Sequence, residues 1–139
     1  MTRLRQGYGG TSELMDSENL REFAKRYAKA WCSKDPETVA AFFARNATLT
    51  VNGGSPTGAL EVARAFMRDF PDMIVTFDKL EPCGDRTAFH WTLTGTHSGT
   101  RNHVRISGYE LWKIDNDGLI AESQGHFDAA EYERQLKNK

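Results

Sequence analysis

The stretch Val104-Arg105-Ile106-Ser107-Gly108-Tyr109-Glu110-Leu111-Trp112-Lys113-Ile114, followed by Asp115-Asn116-Asp117-Gly118, decides the fold. Apolar residues recur at every second position along it, the period of a strand buried on one face, and Asp-Gly is a strong hairpin signal. Leu119 to Phe127 resumes the same pattern, so two antiparallel strands are predicted across the turn. Toward the N-terminus, Met73 to Leu80 and Thr87 to Thr96 share the β-branched and aromatic bias, with the turn Pro82-Cys83-Gly84-Asp85 between them. Together these runs predict an antiparallel meander.

Before Met73 the spacing becomes helical. Leu20, Phe23, Ala24, Tyr27, Ala28 and Trp31 form the stripe of a first helix, with Asp16 or Ser17 able to cap its free amides. Asp35-Pro36 opens a short second helix, whose stripe is Val39, Ala40, Phe42 and Phe43. Ala47 to Asn52 alternates and runs into Gly53-Gly54-Ser55-Pro56, a strand ending in a turn. Ala59, Val62, Ala63, Phe66, Met67 and Phe70 mark a third helix, stopped at Phe70-Pro71 because proline pushes the residue before it out of the helical region.

Helices followed by a run of strands predict an α+β fold, with the helices on one face of a curved, antiparallel or mixed sheet. Residues 1–15 hold isolated apolar side chains among glycines and are expected to be a flexible tail before one domain at 16–139. Glu131 to Lys139 reads as a frayed polar end.

A chain of 139 residues, 39% hydrophobic, can bury one sizeable core. Its 18 basic residues nearly balance 19 acidic ones, and a net charge of −1 offers no electrostatic footprint for nucleic acid or an anionic membrane. Arg3 and Arg5 precede no apolar run, so neither a signal peptide nor a spanning segment is predicted and a cytoplasmic location is the expectation. Cys32 and Cys83 lack any CxxC neighbour and are expected to be reduced.

Several local phrases resemble the SnoaL-like, polyketide cyclase-like branch of the nuclear-transport-factor-2-like superfamily. They are Phe70-Pro71-Asp72-Met73, Gly84-Asp85-Arg86, Gly95-Thr96-His97-Ser98-Gly99, and Asp117-Gly118-Leu119-Ile120-Ala121-Glu122 running on to Asp128. Their order extends over about residues 17 to 136. The resemblance implies a cone-shaped α+β half barrel with three N-terminal helices on its concave face, an apolar cavity, and a homodimer built through the sheets. In the cyclases an acidic residue does acid/base work, and the matching position is Asp128. Gln124 stands where the family commonly has tryptophan, and the Val104 to Ile114 strand carries no histidine.

The residues themselves suggest where chemistry resides. Val104, Ile106, Gly108, Glu110, Trp112 and Ile114 share one face, so a carboxyl sits in an apolar row. Facing a cavity it would lose hydration, its pKa would rise, and it could exchange protons near neutral pH. Were the face reversed, or an Arg of a second copy its partner, it would be an ordinary glutamate. In the last strand Ile120, Glu122, Gln124, His126 and Asp128 form a polar row, either lining a pocket or lying in water; His126 and Asp128 could form a proton-transfer pair.

Glu110, Asp128 and His126 are therefore the candidate catalytic groups, with Asn52, His90, Gln124, Trp112, Trp31 and Phe66 as candidate ligand contacts. His97, beside Gly95 and Gly99, is expected to stabilise a turn. His90, His97, His103 and His126 lack metal-ligand spacing, and no phosphate cradle is visible, so neither a metal nor a cofactor is predicted. The expectation is a pocket protein for a small apolar or oxygenated molecule, as a metal-free cyclase, isomerase or hydrolase. The alternative is a noncatalytic ligand-binding or dimeric association module. The dimer would form through outer sheet faces carrying Trp91- or Tyr109-type side chains.

Overall fold

A computed structural model of the chain describes residues 17–137. Helix α1 (Ser17–Trp31) and helix α2 (Pro36–Ala40) lead into strand β1 (Phe43–Val51) and helix α3 (Ala59–Asp69). Strands β2 (Ile74–Cys83), β3 (Arg86–Thr96), β4 (His103–Ile114) and β5 (Ile120–Phe127) follow, and helix α4 (Ala129–Lys137) ends the described chain. The expected tail, residues 1–15, lies outside the described residues.

The strands form one sheet in the order β1-β5-β4-β3-β2. The meander from β2 to β5 is antiparallel, and β1 joins its far edge by pairing parallel with β5. This is the α+β architecture that the sequence predicts, a curved, unclosed mixed sheet with helices packed on it.

Local chemistry sets the element ends. The Asp35 carboxylate accepts the Glu37 N–H at 3.1 Å, and Pro36 fills the first turn, where no amide is needed. The helix stops at Ala40, so the predicted placement of Phe43 on its stripe is corrected. Phe43 opens β1 and pairs with Ile120, while Phe42 packs edge-on against Phe23 and Tyr27.

The frayed C-terminal end is likewise corrected to helix α4. Asp128 accepts the Glu131 N–H at 3.0 Å, so Asp128-x-x-Glu131 is a helix start. The helix covers a gap in the sheet. β5 ends opposite Gly108, which leaves Arg105 of β4 without a strand neighbour on that side; the Gln135 amide accepts the Arg105 N–H at 2.7 Å and donates to its carbonyl at 2.9 Å.

The core lies between the helices and the inner sheet face. Trp112, Tyr27, Phe70 and Phe89 are fully buried. Phe89 stacks on Trp112 with ring centroids 4.8 Å apart, and Tyr27 meets both rings edge-on at 5.2 Å. Such aromatic pairs hold a fixed geometry as well as burying area.

Candidate functional site

A cavity of about 60 Å³ opens between the inner sheet face, α1 and α3. One water needs about 10–15 Å³ of such space, so the cavity can take a small molecule. Trp31 and Phe66 from the helices, Phe89, Trp91 and Leu93 from β3, and Phe127 at the end of β5 supply much of the apolar wall. Glu110 is the titratable residue among those lining it.

Glu110 reaches this position because β4 keeps strict alternation. Val104, Ile106, Glu110 and Trp112 are all buried, and Glu110 is 7% exposed. Gly125 is its partner on β5, and a Cβ there would come to 3.9 Å from Glu110 Cγ, so a small residue keeps the space beside the carboxyl open. Gly108, one step along the same row, is needed for a closer approach. A Cβ would lie 2.2 Å from the His126 carbonyl oxygen and 2.7 Å from Trp91 Cζ2, distances real side chains do not adopt.

The carboxylate of Glu110 is held unequally. Oε1 accepts from Ser123 Oγ at 2.8 Å, Trp112 Nε1 at 3.0 Å and the Tyr27 hydroxyl at 2.9 Å. Oε2 accepts from the same Tyr27 hydroxyl at 3.0 Å. Burial raises the Glu110 pKa, and the hydrogen bonds from Trp112, Ser123 and Tyr27 pull it partly back. Tyr27 is driven well above its ordinary range by burial first and by the adjacent carboxylate second, so it remains a neutral donor. The Trp31 indole N–H is buried with no hydrogen-bond partner among the described residues.

The other candidates divide. Trp31 and Phe66 line the cavity, and Trp112 contributes its indole N–H to Glu110 from behind the wall. His90, Gln124 and His126 are placed on the opposite face of the sheet. Tyr109, next to Glu110, faces outward, with the His90 and His126 rings 5.6 and 5.1 Å from its own. His90 Nε2 is 2.8 Å from Glu81 Oε1, and Gln124 donates to Glu122.

Asn52 is exposed in a left-handed turn (φ 52°), where its side-chain oxygen accepts the Phe127 N–H at 2.9 Å. Asp128 is exposed, and its carboxylate caps α4. Trp91, expected on the outer face, instead walls the cavity. The His97 Nδ1 accepts the Gly99 and Thr100 N–H groups, both at 3.1 Å, and so stabilises its turn.

Two partners of the carboxyl were absent from the sequence reading. Tyr27 sits on the α1 stripe like any core aromatic, so its spacing concealed the role of its hydroxyl. Ser123 was hidden by a bulge: Lys113 pairs with Glu122 and Ile114 with Ile120, so Ala121 is the extra residue and the facing of β5 reverses there. Ile120 points inward before the bulge, and Ser123 and Gly125 are buried after it. A serine and a glycine two apart, opposite Trp112 and Glu110, were the available signal.

The sequence profile of the SnoaL-like domain family matches residues 24–123. No curated protein sequence matches the chain. Among solved structures, TsrD from Streptomyces laurentii is 18% identical with a TM-score of 0.76, over 90% of this chain and 99% of that one. IdmH from Streptomyces antibioticus, described as a candidate polyketide cyclase, is 24% identical with a TM-score of 0.70, over 84% and 96% of the two chains. A protein of ketosteroid isomerase-like fold from Catenulispora acidiphila, solved with trimethylamine, is 18% identical with a TM-score of 0.72, over 83% and 92%. At these identities the structures show a common fold, while the profile spans most of the chain: the protein belongs to the SnoaL-like domain family.

Proposed function

We propose that this chain is a metal-free acid/base enzyme for a small, largely apolar, oxygenated molecule, with Glu110 as the group that gives and takes the proton. The observation that carries the reading is a single buried carboxyl on the wall of an otherwise apolar cavity. In such surroundings a carboxyl's pKa moves toward neutrality, where both protonation states are accessible and general acid/base chemistry is effective. Tyr27, Trp112 and Ser123 orient it, and Trp31, Phe66 and Trp91 shape the space above it. Cyclisation, isomerisation and hydrolysis each need such a group, and the candidate cyclase IdmH supports the first.

Asp128 and His126 stay outside this proposal because one caps a helix and the other faces away from the cavity. The saturation of Oε1 by three donors also favours a second reading, a pocket that binds without turnover. The Catenulispora relative is solved with trimethylamine, a small amine that is protonated at neutral pH, and a pocket for a small molecule fits either reading.

The test is carbon NMR of the glutamate carboxyl resonances against pH, with Glu110 assigned by its loss in Glu110→Gln. A midpoint above that of the other glutamates supports proton transfer; an ordinary midpoint overturns it. We further propose that two copies associate through their outer sheet faces, where Ile74 (55%) and Tyr109 (37%) are the exposed large apolar residues. Sedimentation at micromolar concentration should give a dimer, and a strict monomer would remove this part. A cytoplasmic location remains the expectation; no helix among the described residues is long and apolar enough to cross a membrane.

A further inference from the structure

The two oxygens of Glu110 face different demands. Oε1 takes donors from Ser123, Trp112 and Tyr27, which exhausts what a carboxylate oxygen accommodates. Oε2 takes a share of one Tyr27 hydroxyl whose proton is already divided between both oxygens. Acceptor capacity is thus left on Oε2 of a residue that lines a cavity walled otherwise by hydrocarbon and aromatic ring. A buried acceptor without a full partner is costly, and an occupant that supplies a donor removes the cost.

We propose that the cavity selects a small apolar molecule carrying a neutral hydroxyl, alcohol or enol, which donates its hydrogen bond to Oε2 of Glu110. This rests on the reading of Glu110 as the proton-handling group and names the substrate class for that site. A ketone of equal shape brings an acceptor against an acceptor while Glu110 is ionised. An ammonium head would be drawn to the charge, but it must shed a far larger hydration shell to enter an apolar space. The three dipoles already aimed at Oε1 also offset part of that charge. The hydroxyl proton at Oε2 is the one that the site is then placed to move.

Cyclopentanol, cyclopentanone and cyclopentylamine form a matched set of probes. Their dissociation constants can be read from amide shifts of the whole chain, at a pH two units above the Glu110 midpoint and two units below it. Above the midpoint cyclopentanol should bind about tenfold more tightly than cyclopentanone, as expected for a hydrogen bond to a charged group. Below it the preference should vanish, because the protonated carboxyl can donate to the ketone.

Gly125→Val, which fills the space beside Glu110, should abolish binding of both, showing that the shifts report the cavity. Glu110→Gln should lose the pH dependence, since the amide offers donor and acceptor at every pH. Equal affinities for alcohol and ketone above the midpoint would overturn the proposal, as would tighter binding of the amine. Because the Glu110 midpoint is measured separately, a raised midpoint with no alcohol preference refutes this inference alone, and an ordinary midpoint refutes the acid/base reading.

Discussion

Tyr109 and Glu110 are neighbours in β4, yet they occupy two different solvents. On the inner face Glu110 is 7% exposed, held by three residues, and its pKa is raised by burial. On the outer face Tyr109 is 37% exposed in a row with His90 and His126, and the carboxylate bound to His90, Glu81, is lowered by that hydrogen bond. The difference teaches that a carboxyl's chemistry here is set by the face and not by the residue. Polar groups are more numerous outside, but water screens and replaces each of their contacts; the inner face has few, and each is held in place.

The sharpest way to break the contrast is to cut on both sides of one peptide bond. Phe89 lies between the Phe77 and Trp112 rings and is fully buried, so Phe89→Ala should cost about 3–5 kcal/mol in denaturant unfolding. His90→Ala, one residue on and facing outward, should stay within about 0.5 kcal/mol. Comparable losses for the two would erase the distinction between the faces.

Gly108→Ala comes next. Its new methyl group must displace the His126 carbonyl and the Trp91 indole, and overpacking of this kind costs about 1–3 kcal/mol. Because Trp91 walls the cavity, the same variant should weaken small-molecule binding, whereas unchanged stability would mean that β4 and β5 separate freely at that point.

Tyr27→Phe sharpens the contrast at the carboxyl itself. It removes the donor shared by both oxygens and should cost about 1–3 kcal/mol at neutral pH, with a smaller loss in acid where Glu110 is protonated. It should also move the Glu110 midpoint further up, because one of the bonds that favours the ionised form has gone. A midpoint that moves down would show that Tyr27 acts otherwise.

Much of this contrast was legible in the sequence. The even-numbered row of β4 announced a carboxyl in an apolar face because nothing interrupts alternation between Val104 and Trp112. The row in β5 misled for a specific reason: the bulge at Ala121 inverts the facing of everything after it, so the even-numbered row turned His126 and Gln124 outward and hid Ser123. A bulge has no fixed residue signature, so period alone carries an error across it. At Asp128 the resemblance supplied one role for the position, while the sequence Asp128-Ala129-Ala130-Glu131 carried the helix cap that forms there. The hydroxyl of Tyr27 was invisible to spacing, since a helical stripe records which face is buried and not what its polar tip touches.

The central claim is that Glu110 is buried and harder to ionise when folded than when unfolded, and melting temperature against pH for the wild type and Glu110→Gln tests it most directly. In the variant the amide oxygen can take the place of Oε1, and the Tyr27 hydroxyl can turn to accept from the new amino group, so the fold should persist. Below the ordinary glutamate value of 4.5, Glu110 is protonated in both the folded and unfolded wild type and its ionisation carries no penalty. As pH rises past that value the unfolded chain releases its proton first, while the folded chain still holds it at a raised pKa. The wild type should therefore lose stability relative to the variant from about pH 4.5 upward, levelling off once the folded carboxyl has ionised. Parallel curves from acid to neutral pH would contradict the account, because they would mean that Glu110 ionises as readily inside the fold as in water.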